Sequence, residues 1–307
     1  MTGLGTAASP GVGGIVDSHH HLWDPAERPH DWLVALPSLN RPFHLSQLEQ
    51  VATPLGVSAT VLVQVLNDRA ETEEFLALAS ASELIAGVIG WVDLTDPGVA
   101  ESLARLRELP GGDKLVGVRH LVQNEPDPAW LQRPEVRRGV RAVSESGRAF
   151  DLLVSTRELP AAVDLAEHLE DATLVIDHMA KPEIGASIWE PWNGLIGRLA
   201  RNEAVVCKIS GLVSEAGRHW DPAAIRPYVE RVVELFGPNR LLFGSDWPVC
   251  TAVASYDQVL HLARDLVTPL VGEEIDAVFG GTARRVYKLA PGGFATPRTT
   301  RTGRNGP

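Results

Sequence analysis

Two cysteines are present in 307 residues, Cys207 and Cys250, each inside an apolar segment. That usage suggests no disulfide framework and fits a reducing cytoplasm. No apolar run approaches the ~18 residues of a membrane span, so no membrane partner is expected. The formal charge is -11, and no stretch is dense in Lys and Arg except near the end of the chain, which argues against nucleic acid as a partner. No glycine-rich phosphate loop follows the first apolar run, which disfavours a doubly wound dinucleotide-binding sheet. Residues 1–13 lack the basic start and apolar centre of a signal peptide and read as a flexible leader. Residues 291–307, rich in Gly, Pro, Thr and Arg, read as a disordered tail.

The remainder has an ordinary globular composition, 44% apolar and 22% charged. Short apolar runs recur at 13–16, 59–65, 85–92, 115–121, 150–154, 173–178, 204–211 and 240–246, each followed by helical sequence. Asp96-Pro97 and Asp221-Pro222 are helix-opening pairs, a capping residue before a first-turn proline. Strands that read as continuous apolar runs are buried on both faces, and helical crossovers imply a parallel sheet. Eight such units predict an α/β protein of one domain, a (β/α)8 TIM barrel over residues 14–290. The connection 23–43 carries Pro25, Pro29, Pro37 and Pro42 and is too long for a simple loop, while Trp23, Trp32 and Phe43 argue that it is ordered.

Barrel active sites sit at the C-terminal ends of the strands, and the polar residues concentrate there. The first strand ends in His19, His20 and His21, where alternation turns His19 and His21 together and His20 away. A purification tag would lie in flexible sequence, whereas this cluster follows a strand. Further on come Gln64 and Asn67, Trp91 and Asp93, Arg119 and His120, then Asp177, His178 and Lys181, then Lys208, Ser210 and Glu215, and last Asp246 and Trp247. Gln64 is either a barrel-interior residue or a ligand contact, and Arg119 and Lys208 either pair with carboxylates or meet substrate. Asp177 and His20 are expected to face the helix layer, and Asp151 the lower rim. A carboxylate at Asp246, ending a buried strand, is costly unless paired or used. This convergence points to an enzyme; a silent binding barrel is the rival.

Six motifs, in order, carry a resemblance: Asp17-Ser18-His19-His20-His21-Leu22-Trp23-Asp24, Gly90-Trp91-Val92-Asp93-Leu94, Gly117-Val118-Arg119-His120, Asp177-His178-Met179-Ala180-Lys181-Pro182, Lys208-Ile209-Ser210-Gly211 and Phe243-Gly244-Ser245-Asp246-Trp247-Pro248. From about residue 15 to 289 the chain resembles the amidohydrolase superfamily, in its sugar-lactonase branch of L-fuconolactonases and L-rhamnonolactonases. Pyrone-dicarboxylate lactonases and sulfomuconolactone hydrolases are relatives of that branch. The resemblance implies a hydrolase of carbohydrate catabolism that opens a small lactone, foremost a sugar (aldono-)lactone, to the hydroxy acid. Hydrolysis of a pyrone or muconolactone carboxylate, or decarboxylation, are the alternatives.

On this reading Asp246 activates water, and His19, His21 and His178 face the carbonyl as donors or, with Asp246, as ligands of one divalent cation, zinc suiting them best. Binuclear members of the superfamily carry a bridging Lys or Glu on strand four and a histidine on strand five. This chain has neither, so at most one ion is expected, a metal-free version stays open, and no organic cofactor is implied. Gln64, Arg119, His120 and Lys181 would hold substrate oxygens. Trp23, Trp91 and Trp247 are sugar-facing walls or plain packing. Glu215 at the rim works against a dianionic substrate.

Overall fold

The eight apolar runs fold into eight parallel strands, each hydrogen-bonded to the next in chain order. They are β1 (Ile15–His20), β2 (Val57–Val63), β3 (Ile85–Gly90), β4 (Leu115–His120), β5 (Ala149–Leu152), β6 (Leu174–Ile176), β7 (Val205–Ile209) and β8 (Leu241–Phe243) in a computed structural model that describes residues 14–290. The expected leader and tail lie outside the described residues. The sheet closes through a parallel bridge between His20 and Trp247. Beside it the His21 N–H donates to the Trp247 carbonyl at 2.7 Å and the Asp246 N–H to the His19 carbonyl at 2.8 Å. A (β/α)8 barrel is therefore the observed fold.

Helices α1 (Leu45–Ala52), α2 (Arg69–Ser80), α3 (Val99–Arg107), α4 (Pro134–Glu145), α5 (Leu159–His168) and α6 (Trp192–Leu199) follow the first six strands in turn. The short α7 (Leu212–Ala216) and long α8 (Pro222–Phe236) follow β7, α9 (Tyr256–Val271) follows β8, and α10 (Thr282–Val286) ends the described chain. Asp221 caps α8 by accepting from the Ala223 N–H, with Pro222 at the first helical position. At the other expected opening, Asp96 accepts from the Gly98 N–H and the helix starts later, at Val99.

Alternation along the strands builds two interior layers. The lower layer is apolar: Val16, Val61, Ile89, Val175, Val206 and Leu242, plugged by Tyr287 just past α10. Two residues further along three of these strands, on the same face, stand Asp151 after Ala149, Asp177 after Val175 and Lys208 after Val206. These correct two expectations. Asp177 faces the barrel interior, since its parity is that of Val175. Asp151 is the third residue of a strand that starts at Ala149, so it sits in the interior layer and not at the lower rim. His20 does turn outward, its Nε2 3.0 Å from the Thr60 hydroxyl.

The 23–43 connection is ordered by aromatic packing. Trp23 and Phe43 form an antiparallel bridge, and Trp23 packs edge-on against both Trp32 and Phe43 at 5.2 Å. Arg28 ties the loop to the α2 side through a two-pronged contact with Glu74 and a 3.0 Å ion pair with Asp68.

Candidate active site

The site grows from the seam between the first and last strands. Asp17 faces outward there, accepting from the Ser245 N–H at 2.9 Å, the Ser245 hydroxyl at 2.6 Å and the Tyr256 hydroxyl at 3.0 Å. These bonds fix the backbone one residue before Asp246, which holds a left-handed φ of 57°. Aspartate is one of the few residues that enters that region readily. The register of β1 shifts between Asp17 and His20, and the shift brings His19 inward against Asp177 and Lys208.

His178 is placed by a stranger device. Residues His178, Met179, Ala180 and Lys181 all have φ between 49° and 59°, a left-handed turn that costs roughly 1–2 kcal/mol per residue. Such strain persists only where the surroundings over-determine it. Here they do: the His178 Nδ1 lies 2.9 Å from the Ser210 hydroxyl, and the indole N–H of Trp192 donates to the Met179 carbonyl at 2.7 Å. Gly211 (φ 66°) sits so close that an added Cβ would lie 2.9 Å from the His178 ring.

Three imidazoles thus surround one carboxylate. Asp246 Oδ1 is 3.8 Å from His19 Nε2, 3.6 Å from His21 Nε2 and 4.0 Å from His178 Nε2. His21 Nδ1 donates to the Val63 carbonyl at 2.8 Å, which turns Nε2 toward the Asp246 carboxylate. His19 meets a donor at each ring nitrogen, Lys208 Nζ at Nδ1 (3.1 Å) and Arg119 Nη1 at Nε2 (3.4 Å). The Nε2 atoms of His19 and His21 are 3.1 Å apart. Imidazole nitrogens this close together beside a carboxylate are a donor set that a shared cation satisfies. His19, His178 and Asp246 each offer an atom within 4.8 Å of the others, and His21 Nε2 stands beside that group, 3.1 Å from His19 Nε2 and 3.6 Å from Asp246 Oδ1. The donor set fits a metal ion, as three imidazole nitrogens and a carboxylate oxygen suit a four-coordinate divalent cation.

Burial pushes the His178 pKa down to about 4, against the opposing pull of Asp246 and Asp177. Burial also takes His19 well below the usual histidine range. Asp246 is raised by burial, but His178, His21 and Lys181 more than reverse this and leave it below the ordinary carboxylate value. At neutral pH the cluster is two neutral imidazoles, His19 and His178, facing an ionised carboxylate.

Beneath lies a charge-balanced layer. Lys208, fully buried, reaches Asp151 at 2.6 Å, Asp177 at 2.9 Å and His19 Nδ1 at 3.1 Å. Arg119 pairs with Asp177 at 3.0 Å and donates to both oxygens of Gln64, main-chain and side-chain. Tyr287 donates to Asp151 from below. Arg119 and Gln64 are therefore committed to one another and to the barrel interior.

His120 is similarly engaged. The Trp91 indole N–H donates to its Nδ1 at 3.1 Å, which makes Nδ1 the acceptor and leaves Nε2–H to donate to Glu125 at 2.7 Å. Trp130 stacks on the ring at 4.1 Å. Trp91 is half-buried beside it, while Trp23 and Trp247 are buried against Phe43. Lys181 keeps a quarter-exposed side chain 4.0 Å from Glu215.

The structure thus brings His19, His21, His178 and Asp246 together and leaves Lys181 and Trp91 partly open. It places Arg119, Gln64 and His120 in internal networks and Trp23 and Trp247 in packing. Sequence reasoning missed the inward roles of Asp177 and Asp151, which parity with Val175 and Ala149 signals, and the supports Asp17, Glu125 and Trp130, which no local pattern marks.

Comparison with known proteins agrees with this architecture. The family profile described as Amidohydrolase matches residues 16–289. The L-fucono-1,5-lactonase of Burkholderia ambifaria is 35% identical over 279 residues, covering 89% of this chain and 95% of that protein. The L-fucono-1,5-lactonase of Burkholderia multivorans is 36% identical over 287 residues, covering 89% and 96%. The crystal structure of an amidohydrolase from Burkholderia multivorans with bound zinc superposes with a TM-score of 0.82 at 34% identity, covering 90% of this chain and 99% of that one.

Proposed function

We propose that this chain, which belongs to the amidohydrolase family, hydrolyses a sugar lactone of the L-fucono-1,5-lactone class to its open-chain hydroxy acid. The observation that carries the reading is the ionised Asp246 facing three imidazoles at the C-terminal rim of the barrel. The relatives at 35–36% identity supply the substrate class.

Lactone hydrolysis needs a water nucleophile, a base for its proton and stabilisation of the developing oxyanion. Asp246 Oδ1 faces the imidazoles, and Oδ2 takes the proton of the attacking water. The oxygen adds to the lactone carbonyl, and the tetrahedral intermediate expels the ring oxygen. Asp246 returns its proton to that oxygen, giving a hydroxyl, while the new carboxylic acid ionises into solvent. Asp17, Ser245 and the His19 carbonyl hold Asp246 in place, and Ser210 holds His178. His19, His21, His178 and Asp246 would hold one zinc ion. Bound there, it would act as a Lewis acid on the carbonyl oxygen. Both cysteines are buried and free, in keeping with our placement of the protein in a reducing cytoplasm.

Readings with carboxylated substrates are less well supported, because Arg119 and Lys208 are neutralised by Asp177 and Asp151. The test is acid release, followed with a pH indicator, across L-fucono-1,5-lactone, other aldonolactones and a pyrone dicarboxylate. Each is corrected for spontaneous hydrolysis and run before and after dialysis against a strong chelator with metal analysis. Turnover of aldonolactones that is lost with the metal and restored by zinc is expected. Acid release from the pyrone alone would overturn the substrate class.

A further inference from the structure

Two charged side chains at the mouth remain outside the mechanism. Lys181 lies three residues past His178, at the end of the left-handed turn, and Glu215 lies on α7, which starts where Gly211 abuts the His178 ring. Their charged ends are 4.0 Å apart and their side chains are 24% and 25% exposed. That separation exceeds a hydrogen bond, so neither group saturates the other. Lys181 follows the turn that carries His178 and Glu215 sits on the helix that begins beside the His178 ring, so the pair flanks the reacting centre. The other cations near the centre, Arg119 and Lys208, are balanced inside the barrel, and His120 is matched by Glu125.

A hydroxyl is both donor and acceptor. Between Lys181 and Glu215 it accepts from the ammonium and donates to the carboxylate. A substrate carboxylate is an acceptor only, and there it meets the like charge of Glu215. We propose that Glu215, set against Lys181, restricts this site to uncharged polyhydroxy lactones and excludes those bearing a carboxylate. The proposal rests on the lactonase reading above and adds to it the residue that sets the substrate's charge. Burial pushes the Glu215 carboxyl up, Lys181 partly offsets this, and the charge of Asp246 adds to the rise.

The experiment compares kcat/KM for an aldonolactone and for the aldarolactone of the same ring and stereochemistry, whose terminal carbon is a carboxylate, at pH 8. The quantity read is the ratio of the two. Wild type favours the neutral lactone, Glu215→Gln lowers that preference at least about tenfold, Glu215→Asp retains most of it, and Lys181→Met raises it. A folded Glu215→Gln variant with an unchanged ratio overturns the proposal. Should that variant not fold, the wild-type ratio at about 20 mM and about 500 mM salt decides, since screening weakens selection by charge. A ratio that salt does not move overturns the proposal as well. Wild type that hydrolyses neither lactone overturns the lactonase reading itself, a result distinct from an unchanged ratio.

Discussion

Replacing Lys208 with Met tests the charge layer that supports the site. The Lys208 ammonium has no solvent access and lies 2.6 Å from Asp151 and 2.9 Å from Asp177. Met matches its length but leaves two buried carboxylates, with Arg119 on one and the Tyr287 hydroxyl on the other. Removing one partner of a buried ion pair costs about 3–5 kcal/mol, far more than the pair itself contributes relative to apolar residues. For a barrel of this length the unfolding entropy is roughly 0.6 kcal/mol/K, so the melting temperature should fall by roughly 5–8 °C. The pH dependence gives a second, independent sign. Burial and the neighbouring Asp177 already raise the Asp151 pKa, while Lys208 opposes them. Without Lys208 it rises further. A carboxyl whose folded pKa exceeds its unfolded value binds an extra proton in the folded state, and the stability this provides is lost as pH rises through that window. The variant's deficit should therefore be largest near pH 8 and shrink toward pH 5. Asp151→Asn added to Lys208→Met should recover at least half of the loss. Thermal unfolding followed by circular dichroism at the two pH values is the assay. A deficit below about 1 kcal/mol at pH 8, or one indifferent to pH, would refute the reasoning.

Three other outcomes follow from the same geometry. Ser245→Ala removes the 2.6 Å bond to buried Asp17 and should destabilise by about 1–3 kcal/mol while lowering kcat more than it changes KM, as read by denaturant titration and steady-state kinetics. Gly211→Ala demands a strained positive φ and pushes a methyl into the His178 ring, so bound metal per chain, measured by elemental analysis, should fall together with activity. Because His178 titrates near 4 and Asp246 below the ordinary carboxylate value, kcat/KM should be flat from about pH 6 to 8 and decline only below about pH 5, where His178 gains a proton and Asp246 begins to. A half-maximal point at pH 6.5 in the rate profile would contradict the neutral imidazole.

Much of the fold was legible because barrel strands buried on both faces read as uninterrupted apolar runs, and β3, β6 and β8 are clear examples. Motif order led to the same cluster, since His19, His21, His178 and Asp246 all end strands. What stayed hidden had two physical causes. Asp151 falls at the lower rim when its strand is begun at residue 150, whereas β5 begins at Ala149, and Asp177 shares the parity of Val175; the countercharges of Lys208 and Arg119 let both stand in the interior. The commitment of Arg119 to Gln64, and of His120 to Trp91, Trp130 and Glu125, depends on contacts across separate loops that no spacing encodes.

In the proposed reaction Asp246 carries the proton chemistry of lactone opening. This role is tested most directly by the Asp246→Asn variant, assayed for L-fucono-1,5-lactone hydrolysis above the spontaneous rate, with circular dichroism confirming the fold. A loss of at least about a thousandfold in kcat with the barrel intact is expected, since asparagine keeps the shape and removes the base. A folded variant within tenfold of wild type would contradict it.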